Sequence, residues 1–245
     1  MPHRAPSRRR QLLAAVLLAA TTSLTGAQAL APAQPSSLVL YTSQPERDVK
    51  ETLAAFNVRH PNIKVEVFRS GTTEVLNRLR TEFAAGAPRP DVLLIADAVS
   101  MEALKSEGRL MRMRNVDTSG VPAAFFDAQR TYVGTKLITT GLVVNSKAAF
   151  KPASWQDLLN PALKGQVVMP SPLYSGAAAI TVGGWSRNPA LGWKFVESLK
   201  AQGTTAVRGN GAVLQQVANG EKMAGVLVDF MALNAKAKGS PVEFV

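Results

Sequence analysis

From Leu38 to Gly108 the chain switches three times between strand-like and helix-like hydrophobic spacing, and that alternation limits the fold more than any other feature. Leu38–Tyr41, Ile63–Phe68 and Asp91–Asp97 are apolar or β-branched runs of strand length. Each precedes a helical pattern. Val49, Leu53 and Phe56 form the first apolar face, and Leu76, Leu79 and Phe83 the second. The third pattern covers residues 99–107 and stops at Gly108. The order β-α-β-α-β-α predicts a parallel sheet with helices on both faces. Asp91-Val92-Leu93-Leu94-Ile95-Ala96-Asp97 reads as a buried strand of that sheet, running into an acid at its carboxyl end. Ligands of such sheets sit beyond the carboxyl ends of the strands. Ser43, Ser70, Gly71, Thr72 and Asp97 all lie there.

Three strand-to-helix turns share one chemistry. Val67-Phe68-Arg69 ends a strand, and Ser70-Gly71-Thr72-Thr73 leads into a helix. Ser43-Gln44-Pro45-Glu46 reads as a capping box with a proline in the first turn. Val167-Val168-Met169 is followed by Ser171-Pro172-Leu173-Tyr174-Ser175-Gly176-Ala177 and a helix of small residues. A helix start leaves N–H groups unpaired, with the positive end of the helix dipole behind them. Small residues such as Gly71 and Gly176 let an anion come close, and a side chain at Gly176 would stand in its place. Taken singly each turn is accounted for as a helix cap. Together they predict one ligand held between helix N-termini.

The remainder continues the same style. Residues 109–131 are irregular, and Tyr132–Asn145 is a long β-rich run in which Gly134 and Gly141 suit a crossing between two lobes. Trp155–Leu159 is a short helix capped by Ser154. A strand at 166–169 and helices at about 177–185 and 189–201 follow. Gly209-Asn210-Gly211 opens a helix carrying Val213, Leu214, Val217 and Ala218. Gly225–Val228 is a strand ending at Asp229, and Val242–Val245 starts another. Residues 1–29 read as a secretory signal, with Arg8-Arg9-Arg10, the apolar run Leu12–Ala20 and the cleavage site Ala27-Gln28-Ala29. That run is short for a bilayer span, which leaves an uncleaved anchor as the alternative. Residues 30–37 form a Pro/Ala/Ser linker, 38–138 a first α/β lobe, and 139–245 a crossing strand with a second α/β lobe.

Net charge is +11, and four of those charges are Arg4, Arg8, Arg9 and Arg10, so the chain beyond residue 29 carries +7. That suits an anionic ligand. Nucleic acid fits poorly, because Lys and Arg are scattered and interleave with no aromatic array. With no cysteine there is no disulfide, thiolate metal site or acylated cysteine anchor. The histidines are His3 and His60, so a Ser–His–Asp set requires His60. The sequence contains no HExxH, Walker A or GxGxxG motif. Asp97 and Asp229 could serve as an acid–base pair of a secreted phosphate-ester hydrolase only if they approach each other. No catalytic residue, cofactor or metal ligand is therefore assigned.

Four segments in order carry a family likeness: Tyr174-Ser175-Gly176-Ala177, Ala190-Leu191-Gly192-Trp193-Lys194-Phe195, Asn210-Gly211-Ala212-Val213-Leu214-Gln215 and Val217-Ala218-Asn219-Gly220-Glu221. Over residues 38–245 the chain resembles the periplasmic solute-binding proteins of ABC importers, in the branch with the ferric-ion-binding proteins. The resemblance implies a type II two-lobed α/β fold with mixed, mostly parallel sheets closing on a ligand. It implies no enzymatic activity, a periplasmic location, and delivery of the ligand to an inner-membrane permease. It also implies that the chain stops before the return to the first lobe, so that lobe is incomplete and the chain truncated at its C-terminus. In the ferric branch two adjacent tyrosines, a histidine and a glutamate bind the metal. Here those positions hold Phe230-Met231, Pro45 and Ala96, and Phe and Met offer no hard oxygen donor. The anion-contacting part matches Ser175, Gly176, Ala177 and Asn210, with Tyr174 beside them. The resemblance thus implies a small organic anion, phosphorylated or a phosphonate such as 2-aminoethylphosphonate. Asp97 and Asp229, one per lobe, would meet a cationic part of a zwitterion. A ferric-ion, thiamine or polyamine importer subunit is the alternative within the family.

Overall fold

A computed structural model describes residues 36–245; the predicted signal segment and nearly all of the linker lie outside the described residues. The first sheet contains β1 (Ser36–Thr42), β2 (Ile63–Arg69) and β3 (Val92–Leu94), in the order β2-β1-β3 and all parallel. The helices α1 (Glu46–Arg59), α2 (Thr72–Ala84) and α3 (Ala98–Ser106) follow the three strands in turn. The chain steps to one side of β1 and then back across it, so right-handed crossovers place α1 and α2 on opposite faces. Leu76 and Leu79 of α2 pack with Leu104 of α3 against Leu93 and Ile95. Tyr41 is buried in the centre of the sheet, and its hydroxyl donates to Glu82 at 2.5 Å.

The second sheet contains β4 (Thr140–Asn145), β5 (Val167–Pro170), β6 (Thr205–Val207), β7 (Ala224–Val228) and β8 (Val242–Phe244). Its order is β6-β5-β7-β4-β8; β5 runs parallel to β6 and β7, while β4 is antiparallel to β7 and β8. The helices are α4 (Gly176–Arg187), α5 (Gly192–Ala201), α6 (Asn210–Ala218) and α7 (Asp229–Ala237). This sheet is buried on both faces. Leu142, Val144 and Met169 meet Trp185 and Phe195 on one side, and Val143, Val168 and Leu227 meet Val213 and Val217 on the other. Successive residues of β4 thus enter opposite cores, as the pleat requires. The two-lobed α/β fold with mixed, mostly parallel sheets is the one the alternation and the resemblance imply. Among the described residues no helix is long and apolar enough to cross a membrane.

The structure corrects four local expectations. β3 is three residues long and forms the open edge of its sheet, so Val92 is exposed and the strand is not buried on both faces. Of the run Tyr132–Asn145 only Thr140–Asn145 is a strand. Residues 132–134 fold back instead, where Gly134 N donates to Phe125 O at 2.6 Å and Phe126 bridges Val133. The two glycines serve close backbone approach: a Cβ would stand 2.9 Å from Phe125 O at Gly134 and 2.4 Å from Val245 O at Gly141. The chain after β7 continues directly into α7, which sequence reading passed over. Its Ala232 is fully buried, with Met231 and Ala235 beside it against the Val143–Val217 core. Finally, α1 starts after Pro45 with no side-chain cap, so Ser43 is not its N-cap. Proline carries no N–H and holds the preceding residue extended, which moves the helix start past the expected box.

Candidate functional site

A cleft of about 660 Å³ opens at the carboxyl ends of the parallel strands of both sheets. Its polar wall consists of five strand-to-helix turns. In the β2–α2 turn, Gly71 is extended (φ −67°, ψ 155°) and its carbonyl accepts the first helical bond, from Val75 N at 2.9 Å. The Thr72 hydroxyl donates to Ser43 Oγ at 2.9 Å and accepts from Ala96 N at 3.4 Å, which ties the turns after β1, β2 and β3 together. In the β5–α4 turn, Ser175 caps the helix: its hydroxyl oxygen accepts from Ala178 N at 3.3 Å. The N–H groups of Gly176 and Ala177 come ahead of that bond and of the helical bond from Ala179, at the positive end of α4. Asn210, the first residue of α6, donates its side-chain amide to the same Ser175 hydroxyl at 3.3 Å. Residues 35 apart in the chain therefore meet in one polar corner.

Of the residues singled out from the sequence, all but Ser70 and Asp229 line this cleft. Ser70 is buried, and its hydroxyl donates to the Glu74 carboxylate. Asp229 accepts from the Thr139 hydroxyl and from Phe230 N, each at 2.7 Å, at the start of α7. Asp97 lines the cleft and caps α3, accepting from Ser100 N at 2.7 Å. The two acids proposed as a pair thus each serve a helix start.

The lobes touch where their glycines leave room. A Cβ on Gly71 would stand 2.3 Å from Tyr174 O, and one on Gly176 would stand 2.7 Å from Asp97 Oδ2 and 2.9 Å from Thr72 Cβ. Thr73 N donates to Tyr174 O across the gap at 3.3 Å. Beside this contact Arg208 of the second lobe pairs with Glu74 of the first at 3.0 Å. The Ser70 hydroxyl holds the Glu74 carboxyl below its usual range, and Arg208 adds to the effect while burial opposes it. The Arg208 guanidinium stands 4.9 Å from the Tyr174 ring centre, and Arg69 reaches the Tyr174 hydroxyl at 3.5 Å.

Sequence reading missed the cations of the cleft, Arg69, Lys136 and Arg208. Lys136 is engaged with Asp48 at 2.8 Å and stands 4.2 Å over the Phe230 ring. Arg69 donates to Gln44 O at 3.0 Å, and among the described residues it joins no ion pair with a carboxylate. A signal for it existed: it is the last residue of a strand, directly before the Ser-Gly-Thr turn. The four positions that would carry metal ligands in the ferric branch, Pro45, Ala96, Phe230 and Met231, all face the cleft. Among the described residues no group of three His, Asp or Glu side chains is placed to hold a metal ion.

A family model described as bacterial extracellular solute-binding protein matches residues 87–245. Three solved structures illustrate the likeness in fold. Iron-bound HitA from Pseudomonas aeruginosa is 22% identical with a TM-score of 0.73, the match covering 86% of this chain and 69% of that one. The periplasmic binding protein AfuA from Actinobacillus pleuropneumoniae, with exogenous fructose-6-phosphate bound, is 20% identical with a TM-score of 0.73 and the same two shares. The substrate binding protein of an ABC transporter from Agrobacterium tumefaciens is 19% identical with a TM-score of 0.75, covering 87% and 66%. No curated protein sequence matches the chain.

Proposed function

The chain belongs to the bacterial extracellular solute-binding proteins, and we propose that it captures a small organic anion, a phosphate ester or a phosphonate, between its two lobes. In this reading the protein works in the periplasm and hands its ligand to an ABC permease of the inner membrane. The observation that carries it is the polar corner of the cleft. The starts of α2, α4 and α6 converge there with Arg69, which among the described residues joins no ion pair with a carboxylate. Helix N-termini offer an anion N–H donors and a partial positive charge, and a guanidinium adds a full one. Pro45, Ala96, Phe230 and Met231 make iron a poor occupant of the same cleft. AfuA, with fructose-6-phosphate bound, is a precedent for a phosphorylated ligand on this fold. An aminoalkylphosphonate would find Asp97 for its ammonium, while Asp229 stands outside the cleft wall. The hydrolase reading loses ground because the Asp97 carboxylate caps α3 and the Asp229 carboxylate is taken up by Thr139 and Phe230 N.

Isothermal titration tests this with inorganic phosphate, 2-aminoethylphosphonate, fructose 6-phosphate, thiamine, spermidine and Fe(III). Phosphoryl or phosphonyl compounds should bind one to one. Arg69→Gln removes a charge-assisted hydrogen bond, a loss of about 1.5–3 kcal/mol or roughly ten- to a hundredfold in affinity. A coloured stoichiometric Fe(III) complex, or thiamine or spermidine binding in place of every anion, would overturn the proposal.

A further inference from the structure

The lining of the cleft divides by strand. Polar groups follow β1, β2, β5 and β6, joined by Asp97 after β3, which lies beside Gly176 and Thr72, whereas the apolar side chains after β3 and β7 are Ile95, Met101, Phe230 and Met231. Phe125 and Phe126, from the segment that leads to the second sheet, complete this apolar side. Strand order keeps the two sides apart. In the first sheet β3 lies across β1 from β2, and in the second β7 lies across β5 from β6. The β2–α2 turn bonds to the β5–α4 turn through Thr73 and Tyr174 and reaches the end of β6 through Glu74 and Arg208. The polar edges of both sheets therefore meet at one end, and the apolar side chains that follow β3 and β7 bound the other. Two polar groups near that other end are already engaged. Phe230 N bonds Asp229, and the Lys136 ammonium bonds Asp48 beneath its contact with the Phe230 ring.

We infer that the ligand of the site proposed above is an organic phosphate or phosphonate whose body is an aromatic ring, not a polyol. This rests on the anion-capture reading and narrows it. The phosphoryl group lies against Arg69 and the starts of α2 and α4, and the ring lies among Phe125, Met101 and Phe230. A polyol directed to that end would exchange water for an apolar wall and leave its hydroxyls without partners. An aromatic ring gains offset or edge-to-face contacts with the phenylalanines and a sulfur contact with Met101. A cleft of about 660 Å³ is far larger than a phosphate ion, and it holds a ring as well.

The mature protein is titrated at fixed ionic strength with phenyl phosphate, glycerol 3-phosphate, fructose 6-phosphate and inorganic phosphate. Phenyl phosphate should bind at least about tenfold tighter than either polyol phosphate, the size of one good aromatic contact. Phe125→Asn should remove most of that preference and leave inorganic phosphate within about twofold of the parent, since the change removes apolar wall and no anion contact. Phe125 is 46% exposed, so this variant keeps its fold. Phe230→Asn is the second variant and should act in the same direction. Equal affinities, or a preference for a polyol phosphate, would overturn the aromatic assignment and leave anion capture standing. If neither these four compounds nor 2-aminoethylphosphonate binds, anion capture itself fails.

Discussion

Gly71→Ala should weaken ligand binding without weakening either lobe. The native φ of −67° and ψ of 155° suit alanine, so the substitution adds no backbone strain and slightly restricts the unfolded chain. What it adds is a methyl group 2.3 Å from Tyr174 O, against the 3.4 Å at which ordinary contact begins. A backbone oxygen cannot rotate aside, so the lobes must part locally by about 1 Å. That breaks the Thr73–Tyr174 hydrogen bond, already 3.3 Å long, and stretches the Glu74–Arg208 pair from 3.0 Å. One lost hydrogen bond costs about 0.5–1.5 kcal/mol, and overpacking a tight contact about 1–3 kcal/mol. A closed state disfavoured by about 1–3 kcal/mol binds a closure-dependent ligand roughly 5- to 150-fold more weakly. Calorimetry with the tightest phosphate or phosphonate of the panel measures the loss. Small-angle scattering with and without that compound reads compaction, and circular dichroism melts should match the parent. Parent-like affinity together with parent-like compaction would refute the reasoning, because the bound lobes could not then meet at Gly71 and Tyr174.

Three further outcomes are expected. Lys105 lies 2.6 Å from Asp127 and, with the Thr131 hydroxyl, holds the Asp127 carboxyl below its usual range. Its contribution to stability is therefore complete above the unfolded-state value of about 3.9 and is lost as pH falls from there toward the folded value. The parent melting temperature should drop more steeply below about pH 4 than that of Asp127→Asn, and parallel curves would remove the linkage. Ser175→Ala deletes the cap of α4 and the acceptor of the Asn210 amide; unfolding titrations should show a loss of about 0.5–2 kcal/mol, largely recovered by Ser175→Thr. Intact-mass analysis of exported protein should show a start near Leu30, as the Ala27-Gln28-Ala29 site predicts, and membrane-bound protein retaining residues 1–29 would contradict it.

The parts of the fold governed by local pattern were legible in the sequence. β1 and β2 and the first two helices follow from hydrophobic period, and the turn at Ser175 and Gly176 from capping chemistry, with ends within a few residues of expectation. The misses share a cause: each depends on what lies opposite in space. Tyr132 to Gly134 have strand composition, yet the backbone of residues 125–127 takes up their hydrogen bonds. The helix from Asp229 to Ala237 was hidden because Asp229 read as the end of a strand, and its buried face is small, centred on Ala232. Asp229 itself shows the limit of placing residues by strand end. It sits at the end of β7, but its carboxylate turns to Thr139 and Phe230 N.

Gly176 shows how one residue can be identified for an incomplete reason. Sequence reasoning assigned its missing side chain to the anion, as space for a close approach to the helix start. In the structure the Cβ direction points at Thr72 and Asp97 of the other lobe, and the N–H groups of Gly176 and Ala177 are what remain for an anion. The glycine serves the contact between lobes, and in the proposed function the helix start serves the ligand. Gly71 repeats the arrangement from the opposite side against Tyr174. In the proposed function each turn carries both roles, so ligand affinity and lobe contact cannot vary independently. A ligand that draws α2 and α4 together is favoured by every contact made as they meet, and a change that keeps them apart acts on the ligand without touching it. The cations fit the same logic. Arg208 is joined to the first lobe through Glu74 and so reports on closure, while Arg69, which joins no ion pair among the described residues, is the cation proposed for the anion.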